Sequence, residues 1–348
     1  MRGGLPLAAC GPLRPARLGW ILAGLAGLLL AALLLGLGTG PSGVGLGEAL
    51  GVLLGRADPA TTDIVLRVRL PRLGLATLVG ASLASAGVLF QALLRNPLAD
   101  PYVLGVSGGA ALGGVAVLAL GPALGLGAGA VPPAAFAGAL ATAFLLFAVA
   151  GVRGRLSVTR LLLTGVVFNA FASAVIVFLA TLAGLAEGTR IFLWLIGSLS
   201  AATAGSVPAV AGLLALGLGV TWPLARSLNL LALGSEQAAW LGVPVEVVRR
   251  ILLFATSLMV GAAVSVSGLI GFVGLIIPHL LRLVIGADHR ALLPAAALGG
   301  AAFLVLCDTA ARTLLGGREL PVGAVTALLG GPLFLFLLRR GDARVLAP

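Results

Sequence analysis

Residues 69–114 read RLPRLGLATLVGASLASAGVLFQALLRNPLADPYVLGVSGGAALGG. From Leu73 to Leu94 no side chain is ionisable, and the run is continuously apolar rather than alternating. About 20 residues at about 1.5 Å each cross the roughly 30 Å hydrocarbon layer of a membrane. In that layer the backbone must satisfy its own hydrogen bonds, which helices and closed barrels alone achieve; the missing alternation excludes a barrel. Gly80, Ser82, Ala84, Ser85, Ala86 and Gly87 give this helix a face of small residues on which another helix can pack closely. Asn96-Pro97 and Asp100-Pro101 then push the chain out of helix, because a residue before proline disfavours helical geometry. Asn96 and Asp100 read as capping side chains of that turn, and Ser107-Gly108-Gly109 open a second, shorter helix.

The rest of the chain repeats this character. Hydrophobic residues are 60% of 348 positions and charged ones 9%, far below the roughly 25% charge of soluble domains. About ten membrane segments are expected. They lie near 18–38, 74–94, 103–120, 133–151, 161–184, 206–224, 250–269, 271–285, 292–311 and 321–338, the third and eighth being short and glycine-rich. The fold class is an all-α polytopic membrane protein. Its expected organisation is a leader at 1–17, one transmembrane unit at 18–340 and a tail at 341–348. Gly80, Ala81, Gly87, Pro97 and Gly105 recur 181 positions later as Gly261, Ala262, Gly268, Pro278 and Gly286. A duplicated, proline-interrupted apolar unit is a construction of membrane transporters.

Charge distribution orients the spans. With both termini cytoplasmic, 15 of the 22 basic residues fall inside and 7 outside, which satisfies the positive-inside rule. Five crossings separate the two repeat units, so they run in opposite directions and the repeat is inverted. The net charge of +11 does not indicate nucleic acid, because the arginines stand singly between apolar runs. Lysine is absent, so no phosphate-binding loop ending in Gly-Lys-Ser/Thr can form, and any ATP must be bound by another polypeptide. Cys10 and Cys307 suggest neither a disulfide framework nor a metal site. The first apolar run is too long for a cleaved signal and lacks a following A-x-A site. Arg67, Arg69 and Arg72 cluster before the second span, beside Glu48, Asp58 and Asp63; local ion pairs and a docking patch for an acidic partner both explain them.

The stretch RNPLADPYVLGVSGGA resembles the hallmark of the FecCD-type ABC transporter permeases, the membrane subunits of iron-siderophore, haem and vitamin B12 importers. The likeness continues in order through LLLTGVVFNAF (161–171), FLWLIGSLS (192–200), LNLLALGSEQAAWLGV (228–243), GLIGFVGLIIPHLLRLVIGADHRALLP (268–294), DTAAR (308–312) and ELPVGAVTALLGGPLFLFLLRR (319–340). It implies a ten-helix type II importer permease fold that pairs with a second copy, two cytoplasmic ATPase subunits, and a periplasmic or lipid-anchored substrate-binding protein. No cofactor is implied. Arg69, Arg72 and Arg312 match arginines that meet acidic residues of the binding protein, as exposed pairs worth about 0.2–1 kcal/mol each. Asp308, one helical turn before Arg312, is expected to pair with it.

The resemblance also implies that residues 226–250 form two short helices seated in a groove of the ATPase. Gly234 would permit the turn between them. Leu230, Leu231, Ala238, Trp240 and Leu241 would supply apolar contact, with Glu236 and Gly242 in the same block. The Ser235-Glu236-Gln237 sequence departs from the family's usual acidic pair. GRLSVTR (154–160) matches the turn that forms the inner gate, with Ser157 and Thr159 near the twofold axis; an ordinary hydroxyl-capped turn explains it nearly as well. Asn169, Ser173, Thr181, Thr326 and Gly330 are the candidate lining of the translocation path. His279 reads as structural, since no second ligand is near in sequence.

Three functions compete. An ATP-driven importer working by alternating access accounts for all of these blocks. An ion-coupled secondary transporter shares the inverted-repeat logic but needs buried ionisable groups, and Asp308 is the only clear carboxylate within a span. A membrane-embedded enzyme lacks any His, Asp, Glu or Cys set at catalytic spacing.

Overall fold

The computed structural model describes residues 15–152, 155–200, 203–315 and 318–340. The expected tail, most of the leader, and Cys10, Arg2, Arg14, Arg153 and Arg344 lie outside those residues. Fifteen helices follow in order: α1 (Pro15–Gly38), α2 (Leu46–Leu53), α3 (Pro59–Asp63), α4 (Leu70–Leu94), α5 (Val106–Leu120), α6 (Val131–Ala150), α7 (Val158–Leu182), α8 (Gly184–Leu195), α9 (Ser206–Thr221), α10 (Ala225–Leu233), α11 (Ser235–Trp240), α12 (Val245–Ser267), α13 (Val273–Ile285), α14 (His289–Thr313) and α15 (Val322–Arg340). Two short strands, β1 (Gly151–Val152) and β2 (Arg155–Leu156), pair antiparallel between α6 and α7.

Among the described residues seven helical runs are long and apolar enough to span a membrane, and α5, α13 and α15 add three shorter apolar ones, giving the ten segments. At about 1.5 Å per residue, α5 and α13 reach only about 20 Å, so both end inside the bilayer's depth and rely on protein around them. The internal repeat is legible as a succession of lengths. Long, short, long describes α4 to α6 and again α12 to α14. The individual glycine–proline register does not carry through: Pro97 sits in the turn after α4, whereas Pro278 lies inside α13, and it is Gly268, at φ +66°, that ends α12.

α4, α12 and α14 are buried over most of their length and form the centre; α1, α7 and α9 lie outside them. The small-residue face of α4 explains that placement. A Cβ built on Gly80 would overlap the Gly300 carbonyl of α14, and one on Gly300 would overlap the Gly80 carbonyl, so the two backbones touch without side chains between them. Gly87 meets the Gly274 backbone of α13 in the same way. The turn after α4 is built as its side chains predict: Asn96 Oδ1 accepts from Leu98 N at 2.9 Å and Asp100 Oδ1 from Tyr102 N at 2.8 Å.

Gly300→Val is expected to cost about 1–3 kcal/mol or more, as other overpacked helix crossings do. Gly127→Ala, where an added Cβ meets nothing within 4 Å, should be neutral. Unfolding midpoints of the two variants in detergent test the contrast.

Candidate functional site

α14 carries a polar cluster at each end. Near its C-terminus Asp308 is fully enclosed. Arg72 of α4 places Nε 3.0 and 3.1 Å from the two carboxylate oxygens and Nη2 3.0 Å from one of them. Arg312, one turn along α14, lies 3.1 Å from the other oxygen, off the axis of a hydrogen bond. The remaining arm of Arg72 meets Glu319, in the segment leading to α15, at 2.8 Å.

Arg69 and Arg312 also turn toward the end of α1. Arg69 donates to Leu37 O, to Val44 O at 2.9 Å and to Ser42 Oγ at 2.8 Å. Arg312 donates to Gly36 O at 3.2 Å and to Thr39 O at 3.3 Å. These carbonyls have no partner within α1, and a cation there matches the negative end of the helix dipole. The expectation of exposed arginines is therefore corrected: Arg69, Arg72 and Arg312 are 3%, 6% and 5% exposed. Arg67 is the one that stays outside, paired with Asp63 at 3.0 Å on the solvated face of a π-helical turn spanning Ile64–Arg69. Asp58 and Glu48 serve local helix starts, accepting from Thr61 N and Gly45 N.

At the other end of α14, Asn229 of α10 donates to Asp288 at 2.8 Å and accepts from His289 N at 2.9 Å. Hydrogen bonds from Arg290 first, and from Asn229, hold the Asp288 carboxyl well below the usual carboxylate range. The short helix α10 is thereby fixed to the start of α14. Gly234 then turns the chain into α11 with φ +131° and ψ 152°, a conformation only glycine adopts without strain, and an added Cβ would overlap Gln237.

The residues expected to supply apolar contact divide. Trp240 and Leu241 are 84% and 62% exposed, with Glu236 and Gly242 also exposed. Leu231 and Ala238 are buried and Leu230 is half-buried, so these three anchor the pair of helices to the bundle rather than face outward. Leu233, 65% exposed, belongs to the outward face and was not singled out in the sequence. Hydrophobicity cannot distinguish the two sets; packing of α10 and α11 against the bundle does.

The Ser157 region is a strand-to-helix junction rather than a simple loop. β2 ends at Leu156, and Ser157 caps α7, its Oγ accepting from Arg160 N at 3.4 Å; Thr159 is exposed. Of the candidate path residues, Ser173 and Thr181 are exposed on α7. Asn169 instead ties α7 to the turn after α4, donating to Tyr102 O at 2.6 Å. Thr326 is buried and bonded to Gly323 O of its own helix, and Gly330 packs with its added Cβ 2.6 Å from Phe272 Cβ, so neither reaches an open surface of this chain. His279 is buried edge-on to Phe334, ring centroids 6.3 Å apart.

Ten apolar segments, three of them buried at the centre, with an exposed helix pair projecting from one end, make the architecture of a polytopic permease subunit. The chain belongs to the FecCD transport family, whose pattern matches residues 28–340. It is 45% identical to a cobalamin import system permease protein of Halobacterium salinarum, over 83% of this chain and 77% of that one. Identity is also 45% to a hemin transport system permease protein of Yersinia pestis (81% and 85% covered), and 40% to a vitamin B12 import system permease protein of Escherichia coli O157:H7 (92% and 94% covered). Among solved structures, an inward-facing metal-chelate type ABC transporter superimposes with a TM-score of 0.83 at 32% identity, covering 93% of this chain and all of that one.

Asp308→Ala leaves two buried guanidinium groups without their carboxylate, a loss of about 3–5 kcal/mol. Glu319→Gln removes a partly exposed partner and should cost under about 1 kcal/mol. Thermal unfolding of the purified permease in detergent distinguishes them.

Proposed function

We propose that this chain is the membrane-spanning subunit of an importer that carries a metal chelate, haem or a corrinoid across the cytoplasmic membrane by alternating access, with ATP hydrolysed on two separate subunits. The observation that carries this reading is the helix pair α10–α11. Its inner residues, Leu231 and Ala238, are locked into the bundle, while Leu233, Trp240 and Leu241 project an apolar surface that a water-exposed end of a lone protein would not keep. The relatives named for cobalamin and hemin support the substrate class. An ion-coupled alternative is disfavoured because Asp308, the carboxylate it would need, is clamped between two arginines.

In this reading both termini are cytoplasmic, and residues 18–340 act as one permease unit. A binding protein docks over Arg69, Arg72 and Arg312. Their cationic end is already neutralised from within, so an acidic residue of the partner engages Arg72 in exchange for Glu319, whose side chain is 40% exposed. Such an exchange governs encounter and orientation more than affinity. Ser157 and Thr159 form the inner gate, and Ser173 and Thr181 on α7 line the path between this chain and a second copy. Leu328, Leu329 and Leu335 of α15 and Phe171 and Phe178 of α7 supply an exposed apolar face for that copy.

Trp240→Glu should weaken association with the ATPase by about 2 kcal/mol or more, roughly 30-fold, as loss of a central aromatic anchor does. Co-purification and ATP-driven uptake into proteoliposomes should fall together while the permease alone keeps its unfolding midpoint. Uptake that persists without the ATPase subunit rejects the proposal.

A further inference from the structure

Glu246 and Arg249 stand one turn apart at the start of α12, and the roles proposed above do not use them. Together they hold both backbone polar groups of one residue, Leu156. Glu246 Oε2 accepts from Leu156 N at 2.7 Å, and Arg249 Nη1 donates to Leu156 O at 3.2 Å. The pair is closed by 3.1 Å between Arg249 Nη1 and Glu246 Oε1. The second arm of the same guanidinium, Nη2, donates to Ser235 Oγ at 2.6 Å. Ser235 opens α11, and Leu156 is the residue before Ser157, the cap of α7. One rigid, planar group therefore touches the helix pair and the strand that ends at the proposed gate. A guanidinium fork fixes the separation of its two terminal nitrogens, which a flexible ammonium does not.

We infer that Glu246 and Arg249 are positioning residues that carry a displacement of α11 to the Ser157–Thr159 junction. When Ser235 moves, the fork cannot stretch, so the Leu156 carbonyl follows or one of the two bonds of the fork breaks. Leu156 is 4% exposed, and its C=O would then lose a partner where water is scarce, which makes following the cheaper course. The competing explanation is a helix-start ion pair, with Glu246 in the first turn of α12 and Arg249 three residues on. That arrangement would stabilise α12 and transmit nothing. The inference rests on the functions proposed for α10–α11 and for the junction.

The test needs no transported solute. In the full complex of permease, ATPase and binding protein, with Cys10→Ser and Cys307→Ala, Thr159→Cys is labelled from the cytoplasmic side with a bulky maleimide. Labelling is compared without nucleotide and after trapping with ATP and vanadate. With Glu246 and Arg249 in place, the two rates should differ by about tenfold or more, the scale of one buried hydrogen-bonded contact made or lost. Glu246→Ala should bring the ratio near one while ATPase association and hydrolysis persist. Arg249→Lys, which can reach Ser235 or Leu156 but not both, should do the same. Glu246→Gln keeps an oxygen for the Leu156 N–H and should restore most of the difference. A full nucleotide-dependent difference in Glu246→Ala overturns the inference, as does a loss that merely tracks a lowered unfolding midpoint. If the complex with both residues intact shows no difference, the functional reading of the helix pair falls, and this inference with it.

Discussion

A carboxylate set inside an apolar bundle must be neutralised where it stands, and Asp308 decides much of the architecture around it. Its charge is met by Arg72 from α4 and Arg312 from α14, and those arginines are themselves drawn inward. Two cations against one carboxylate leave a surplus of positive charge. Glu319 and the open carbonyls at the end of α1 absorb it. Four separate parts of the chain are thereby joined by one ionic network. Such a network is costly to desolvate and adds little over an apolar replacement, so its value lies in fixing register among helices that hydrophobic contact alone would let slide.

The centre of the bundle is held by the opposite device. α4 meets α14 at Gly80 and Gly300, and α13 at Gly87 and Gly274, with backbone against backbone. In lipid, apolar side chains gain little by leaving the bilayer for a neighbouring helix, and close approach supplies the attraction instead. The small-residue face of α4 thus sets the depth at which helices interlock, and the arginine network sets their rotation and height.

These two devices were unequally legible in the sequence. Continuous apolar runs gave the ten segments and the shortness of α5 and α13, because helix length in a membrane is a one-dimensional property. The small-residue face was readable for the same reason, since helical spacing puts those residues on one side. The burial of Arg69, Arg72 and Arg312 was not. Their partners are distant in sequence: Leu37 and Val44 for Arg69, Asp308 for Arg72, Gly36 for Arg312. Likewise, Leu231 and Leu233 are alike in composition, and only packing around α10 sends one inward and the other out. Small or polar character marks Asn169, Thr326 and Gly330 as candidate path residues, and in this chain it also ties a turn, bonds a carbonyl within α15 and permits close packing.

α14 is what unites the two ends. It runs unbroken for 25 residues from His289 to Thr313, about 37 Å at about 1.5 Å per residue. Its first residues are bonded to Asn229 of the projecting helix pair, and its last turn holds the arginine network. Pro294 removes one rung of its hydrogen-bond ladder near the first turn, and the Asn229 bonds fasten that end from outside. Asn229 at one end and Arg72 at the other are thus bonded to residues joined by a single helix. The ends of the bundle are coupled by a shared element, and the polar clusters are where that element is gripped.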